Sequence, residues 1–292
     1  MRYTKLLLLS VFLITGLFAN QNNQDKVVPN VVSVDWLKKH LDDKRLVILD
    51  IRPYKDYQQG HLKGAVNIPG LENLFNAKSW MMPKLDKLKE LFSNAGIDNN
   101  SLVVAYDNGE FFWAARLYWI LEVLGHKNVG LLKYSYGKYL ETHMDISKED
   151  TKIVKKEFIP RVDNEQIQTK LSTLLSIGKK TIIDGRANAH YLGKESISKR
   201  FGHIPTAQNY ACTNNFQVTK DGSRMKDFDE LAKVYKDIPK DKEIILYCQG
   251  GAEAALNYIV LKKLGFKASV YDGSWKEWGN DSSVPVDNPT KK

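Results

Sequence analysis

The sequence predicts an α/β protein of two tandem domains, each a mostly parallel sheet flanked by helices. Three observations predict it. Short apolar, β-rich runs alternate with helix-length segments, the pattern of a parallel sheet with helices on its faces. That pattern occurs twice along the chain, and internal repetition at this length marks a duplicated domain. In both halves the longest helix-like segment ends on Leu-Gly, at Gly125 and Gly265, the position at which glycine stops a helix.

Taken in order, the chain opens with MRYTKLLLLSVFLITGLFAN. Arg2 and Lys5 give a charged start, and Leu6 to Phe18 form an apolar run too short for a comfortable membrane span. Residues 1–19 therefore read as a signal peptide cut after Ala19, with the mature chain expected in the periplasm or secreted. Leu17 is not the small residue such a cut prefers, which leaves an uncleaved anchor open. The first domain spans 31–149. Within it, LVILDIRPYKDYQQGHLKGAVNIPG (46–70) reads as strand, Asp, one residue, Arg, polar segment, Gly-His, then a small residue and Asn. SLVVAYDNGEFFWAARLYWILEVLGH (101–126) reads as strand, short loop, Ala-Ala pair and amphipathic helix. Residues 150–161 are polar, end near Pro160 and serve as linker. The second domain, 162–279, repeats the plan with KTIIDGRANAHYLGKESISKRFGHIPTAQNY (180–210) and EIILYCQGGAEAALNYIVLKKLGF (243–266). Residues 280–292 carry no periodic apolar pattern and are expected to be a loose tail.

The 292 residues are 43% hydrophobic and 26% charged, ordinary globular composition. The net charge of +9 comes largely from scattered lysines such as Lys38, Lys39, Lys179, Lys180, Lys262 and Lys263. Clustered Arg with interleaved aromatics is missing, so no nucleic-acid partner is predicted. A basic surface of this kind steers small anions. The 6 histidines show no metal-ligand spacing, and neither metal nor organic cofactor is predicted. The 2 cysteines, Cys212 and Cys248, both lie in the second half. In an oxidising compartment they could form one disulfide, or one could stay free for chemistry.

Several segments together resemble the tandem-domain rhodanese sulfurtransferases, which include thiosulfate and 3-mercaptopyruvate sulfurtransferases. They are Asp50-Ile51-Arg52 and Gly60-His61-Leu62 in the first half, and in the second Asp184-Gly185-Arg186, GHIP (202–205), the loop Cys248-Gln249-Gly250-Gly251-Ala252-Glu253, and YDGSWKEWG (271–279). The resemblance implies two rhodanese folds of which only the second is active, through Cys248. Asp107 stands where the first half would need its nucleophile, and it precedes the Ala-Ala pair by one residue more than Cys248 does. The resemblance also implies a substrate-binding role for Arg186, with a structural ion pair to Asp184 or a neighbour as the alternative. Asp184 and Trp275 are expected to support the site, and Arg52, His61 and His203 to be structural. Cys212, in a stretch near the active-site mouth of related enzymes, is either an inert buried thiol or a redox partner of Cys248.

The chemistry explains the loop. A cysteine attacks only as thiolate, and its free pKa is about 8.5. A helix start offers unpaired N–H groups and partial positive charge, so a loop from Gln249 to Ala254 curling around the sulfur would favour thiolate and then persulfide. The expected reaction passes a sulfane sulfur from a small anionic donor, thiosulfate or 3-mercaptopyruvate, to Cys248 and then to cyanide, a thiol or a protein. Glu253 departs from the Arg or Thr common in relatives. Facing the sulfur it would repel an anion and raise the cysteine pKa, whereas facing outward it would be a first-turn helix residue. A non-enzymatic persulfide carrier stays an alternative. A cysteine phosphatase or arsenate-type enzyme is a weaker one, because the loop has six residues and no Arg at its end.

Overall fold

The computed structural model describes residues 27–290, so the expected signal peptide lies outside the described residues. The first domain is built on a five-stranded sheet of β1 (Val31–Val32), β2 (Leu46–Asp50), β3 (Ala65–Asn67), β4 (Leu102–Tyr106) and β5 (Val129–Leu132), in the order β1-β5-β4-β2-β3. Every pairing in it is parallel. The second sheet holds β6 (Ile167–Gln168), β7 (Thr181–Asp184), β8 (Gln208–Asn209), β9 (Ile244–Tyr247) and β10 (Ala268–Tyr271), in the order β8-β7-β9-β10-β6. Read from the opposite edge this is the same topology, again all parallel. Central strands of a parallel sheet are covered on both faces, so they run as unbroken apolar stretches. LVVAY in β4 and IILY in β9 are buried at every position.

Two helices join the domains: α1 (Phe112–Val123) and α2 (Ala252–Lys263). The sequence predicts amphipathic helices here. Instead both are buried nearly all round, because each lies between its own sheet and the other domain's helix. Polar ties cross the same interface. Tyr258 donates its hydroxyl to Glu122 Oε2 at 2.6 Å. Arg116 on α1, fully buried, pairs with Asp272 of the second domain at 2.7 Å. Gly125 and Gly265 stop the two helices with φ of +82° and +84°, as their position after Leu implies.

The linker and tail differ from expectation. Residues 150–161 form no helix or strand through most of their length, yet Phe158 is buried against Phe92 and its N–H donates to Ser93 Oγ. The linker is therefore stitched to the first domain. The tail is not loose. Asp287 and His203 exchange backbone hydrogen bonds at 2.8 and 3.0 Å, Trp278 Nε1 donates to Pro285 O at 2.8 Å, and Val284 is buried. A strap held by backbone pairing needs no apolar period, which is why its sequence looked unstructured. Among the described residues no helix is long and apolar enough to cross a membrane.

Candidate active site

The site sits beyond the carboxyl end of β9, where the chain turns into α2. Cys248 is the first residue after the strand and is 1% exposed. Gly251 takes the left-handed φ of +90° that lets the loop double back. A Cβ there would lie 2.5 Å from Arg116 Nη1, and a Cβ on Gly250 would lie 2.8 Å from Trp80 Cε3. Both glycines are thus required by close approach of the first domain. The loop is fastened from behind by the YDGSW segment: Cys248 N–H donates to Ser274 Oγ, and the N–H groups of Trp275 and Lys276 donate to Cys248 O and Gln249 O.

The N–H of Gly251 donates to Cys248 Sγ at 3.1 Å, so the predicted cradle exists. Its effect on the resting thiol is smaller than expected. Burial first, and the Glu253 charge second, push Cys248 up to about 12, against the downward pull of the Ala254, Gly250 and Gly251 N–H groups. Of the two readings of Glu253, the structure selects the inward one. Its carboxyl lies beside Cys248, and burial raises it to about 7 although the Gln249 N–H and the cysteine pull it down.

Arg186 is placed elsewhere than the donor-binding role requires. It is fully buried, its Nε and Nη2 grip Asp184 at 2.9 and 2.6 Å, and Nη2 also donates to Gly202 O at 2.7 Å. Asp184 further accepts the Tyr247 hydroxyl at 2.6 Å, and Tyr247 in turn accepts the Ile204 N–H. Trp275 stacks on the Arg186 guanidinium at 4.4 Å. This cluster locks the GHIP turn to the sheet behind the site. Arg186 Nε and Nη2 are committed to a buried carboxylate and a carbonyl, which leaves only Nη1, without a hydrogen-bond partner, for any ligand. His61 and His203 stack on Tyr57 and Tyr191 and bond backbone carbonyls through Nδ1, the structural role the turn implies.

Cys212 is 2% exposed, and both cysteines are free. Burial first, then the charges of Glu253 and Cys248, raise its thiol far above the ordinary range. It stands near the site without lining it.

A pocket of about 440 Å³ opens at Cys248, with Gln249, Gly250, Ala252 and Glu253 on its second-domain side. The opposite wall comes from the first domain: Leu71, Phe75, Trp80, Phe112 and Trp113. The sequence pattern alone does not mark Phe75 or Trp80 as site residues. Only the position of Phe112 and Trp113, in the first-half loop that copies the cysteine loop, carried a signal. Among the described residues no cluster of His, Cys, Asp and Glu could hold a metal.

Comparison with known proteins agrees with this geometry. The model of the rhodanese-like domain matches residues 33–142 and 168–281. A putative thiosulfate sulfurtransferase of Synechococcus elongatus is 32% identical over 273 residues, covering 88% of this chain and 84% of that one. The sulfur carrier protein TtuD of Thermus thermophilus is 29% identical, covering 88% and 95%. The crystal structure of SseA from Escherichia coli superposes with a TM-score of 0.75 at 26% identity, over 85% of this chain and 99% of that one. In sequence and in fold the chain belongs to the rhodanese family, with two such domains in tandem.

Proposed function

We propose that the protein is a sulfurtransferase that carries a sulfane sulfur as a persulfide on Cys248. The observation that carries this reading is the cysteine itself, set between a strand end and a helix start with its sulfur accepting the Gly251 N–H. In the first half-reaction the outer sulfur of the donor bonds to Cys248 Sγ. The donor's bond to that sulfur breaks, and its electron pair leaves with sulfite from thiosulfate, or with the pyruvate enolate from 3-mercaptopyruvate. The cysteine proton goes to Glu253, the nearest carboxylate, or stays with the new persulfide. In the second half-reaction a nucleophile takes the outer sulfur and Cys248 is regenerated, a ping-pong scheme. Thiosulfate and 3-mercaptopyruvate are the donors to try first, since relatives bear those names.

The carrier reading keeps one specific support, the relative named as a sulfur carrier. A phosphatase is disfavoured by a six-residue loop with no Arg at its end to clamp phosphate. The test is mass spectrometry of residues 20–292 after incubation with each donor, followed by cyanide. A gain of one sulfur on Cys248 and repeated thiocyanate formation are expected. One sulfur per chain without turnover would favour the carrier, and no sulfur from either donor would overturn both. The charged start and apolar run of residues 1–19 support export to the periplasm or beyond, which cell fractionation checks.

A further inference from the structure

The pocket over Cys248 has an unusual chemistry for a site expected to serve small anions. No lysine or arginine lines it. Its first-domain wall presents the rings of Phe75, Trp80, Phe112 and Trp113. Its floor holds one carboxyl, Glu253, whose Oε2 is buried and has no hydrogen-bond partner. The nearby guanidinium groups are already paired, Arg186 with Asp184 and Arg116 with Asp272. Lys276 reaches only the Trp80 ring, 5.0 Å from its centroid. An anion entering here would meet a carboxylate, and the one guanidinium whose charge reaches that carboxylate, Arg186, is already paired with Asp184. An ammonium would meet aromatic faces and a carboxylate, each of which attracts a cation, and most strongly where water is scarce.

We propose that the acceptor which empties the Cys248 persulfide is a small organic cation, a thiol bearing an ammonium group, seated with its charge between Glu253 and the aromatic wall. The proposal rests on the persulfide reading above and names its second substrate. In the step, the acceptor's thiolate sulfur attacks the protonated outer sulfur of the persulfide. A new S–S bond forms to the acceptor, the S–S bond to Cys248 breaks, and its electron pair stays on Cys248 Sγ. The proton travels with the transferred sulfur, and Cys248 then takes a proton from water. The products are an acceptor persulfide and the resting thiol, with no outside oxidant or reductant.

The experiment loads Cys248 first and follows its unloading in a single turnover. Thiosulfate is the loading reagent, with inorganic polysulfide as the substitute that needs no enzymatic turnover. Failure with thiosulfate alone bears on the donor, and the acceptor comparison still proceeds. Unloading rates are then measured with cysteamine, 2-mercaptoethanol and mercaptoacetate at equal thiolate concentration. Cysteamine is expected to be about tenfold faster than 2-mercaptoethanol, and mercaptoacetate about tenfold slower, a discrimination of the size one desolvated cation–π and charge contact supplies. In Glu253→Gln the three rates should fall within about threefold of one another. Any change that this variant makes to Cys248 as a leaving group is common to all three acceptors and cancels in the ratio. Equal rates in the natural protein, a lead for mercaptoacetate, or an order unchanged in Glu253→Gln would each overturn the proposal.

Discussion

The two strand-end loops, 107–114 and 248–254, are one design with two different occupants. In the first, the Asp107 carboxylate accepts the N–H groups of Gly109, Phe111 and Ala114 at 2.8, 3.0 and 3.2 Å. In the second, Cys248 Sγ accepts Gly251 N–H at 3.1 Å. A helix start prefers an anion, and the first domain fills its own cradle with the Asp107 carboxyl, which burial pushes above the ordinary range against the pull of those N–H groups. The cradle there is closed by a group that can neither gain nor release sulfur. The second domain places a reactive atom in the same cradle. Behind the loops, by contrast, the two domains are alike. Arg52 grips Asp50 at 2.9 and 2.5 Å and reaches Gly60 O at 2.7 Å, and Arg186 repeats these bonds around Asp184 and Gly202. Tyr106 and Tyr247, and Asn67 and Asn209, complete both copies. What the first domain shares with the second is fold, and what it lacks is a cysteine at the strand end.

The comparison breaks first at its centre. Cys248→Ser should lower turnover by on the order of a thousandfold or more, since the nucleophile is gone. Asp107→Cys in that background should not restore it, because the longer first loop is closed around its own occupant. Thiocyanate formation checks both, and activity in the double variant would show the two loops to be interchangeable.

Next come the twin cages. Arg52→Leu and Arg186→Leu each strand a buried carboxylate, so each should cost about 3–5 kcal/mol and lower the melting temperature by roughly 10 °C. Similar losses in the two variants fit a shared structural role. If Arg186→Leu keeps its stability while its donor KM rises, the donor-binding role that the family resemblance implies would stand after all.

A third prediction uses the acid that stands beside the cysteine, Glu253. Glu253 rises from 4.5 to about 7 in the folded protein. A carboxyl with a raised folded pKa contributes stability below its unfolded pKa and loses that contribution as pH climbs through the folded one. Between pH 5 and pH 8 the natural protein should therefore lose stability relative to Glu253→Gln, by on the order of 2–3 kcal/mol. Urea midpoints at the two pH values measure it. A parallel pH dependence of the two proteins would place the Glu253 carboxyl in water, away from Cys248.

How much of this was legible follows from how far each feature depends on local pattern. The duplicated Asp-x-Arg and Gly-His segments, the strand runs and the Leu-Gly stops are local, and they gave the fold and the cysteine loop. Whether Glu253 turned inward depended on what covered the first turn of α2, which residue spacing does not encode. The donor-binding role of Arg186 was read from resemblance, and Arg52 already held the counter-evidence: the same Asp-x-Arg occurs where no nucleophile follows. Arg116 and Trp80 were out of reach because each matters through contact with the other domain, Arg116 with Gly251 and Asp272, and Trp80 with Gly250 and the pocket at Cys248. The tail was misread because a strap buries one valine and pairs backbone.

The smallest expected effect concerns Cys212, which has no counterpart duty in the first domain. Its N–H donates to Gly185 O at 2.9 Å, so the backbone there is held whatever the side chain is. The thiol is buried and burial keeps it protonated, which suppresses attack on a persulfide. Cys212→Ala should leave loading and unloading of Cys248 within about twofold, since neither step needs a second thiolate. Non-reducing mass spectrometry of the oxidised protein sharpens the point. A Cys212–Cys248 disulfide, or a large loss in the alanine variant, would show that the second domain has a redox partner for its nucleophile. Unchanged kinetics with a free Cys212 would leave the chemical difference between the halves to Cys248, Glu253 and the aromatic wall that the first domain lends them.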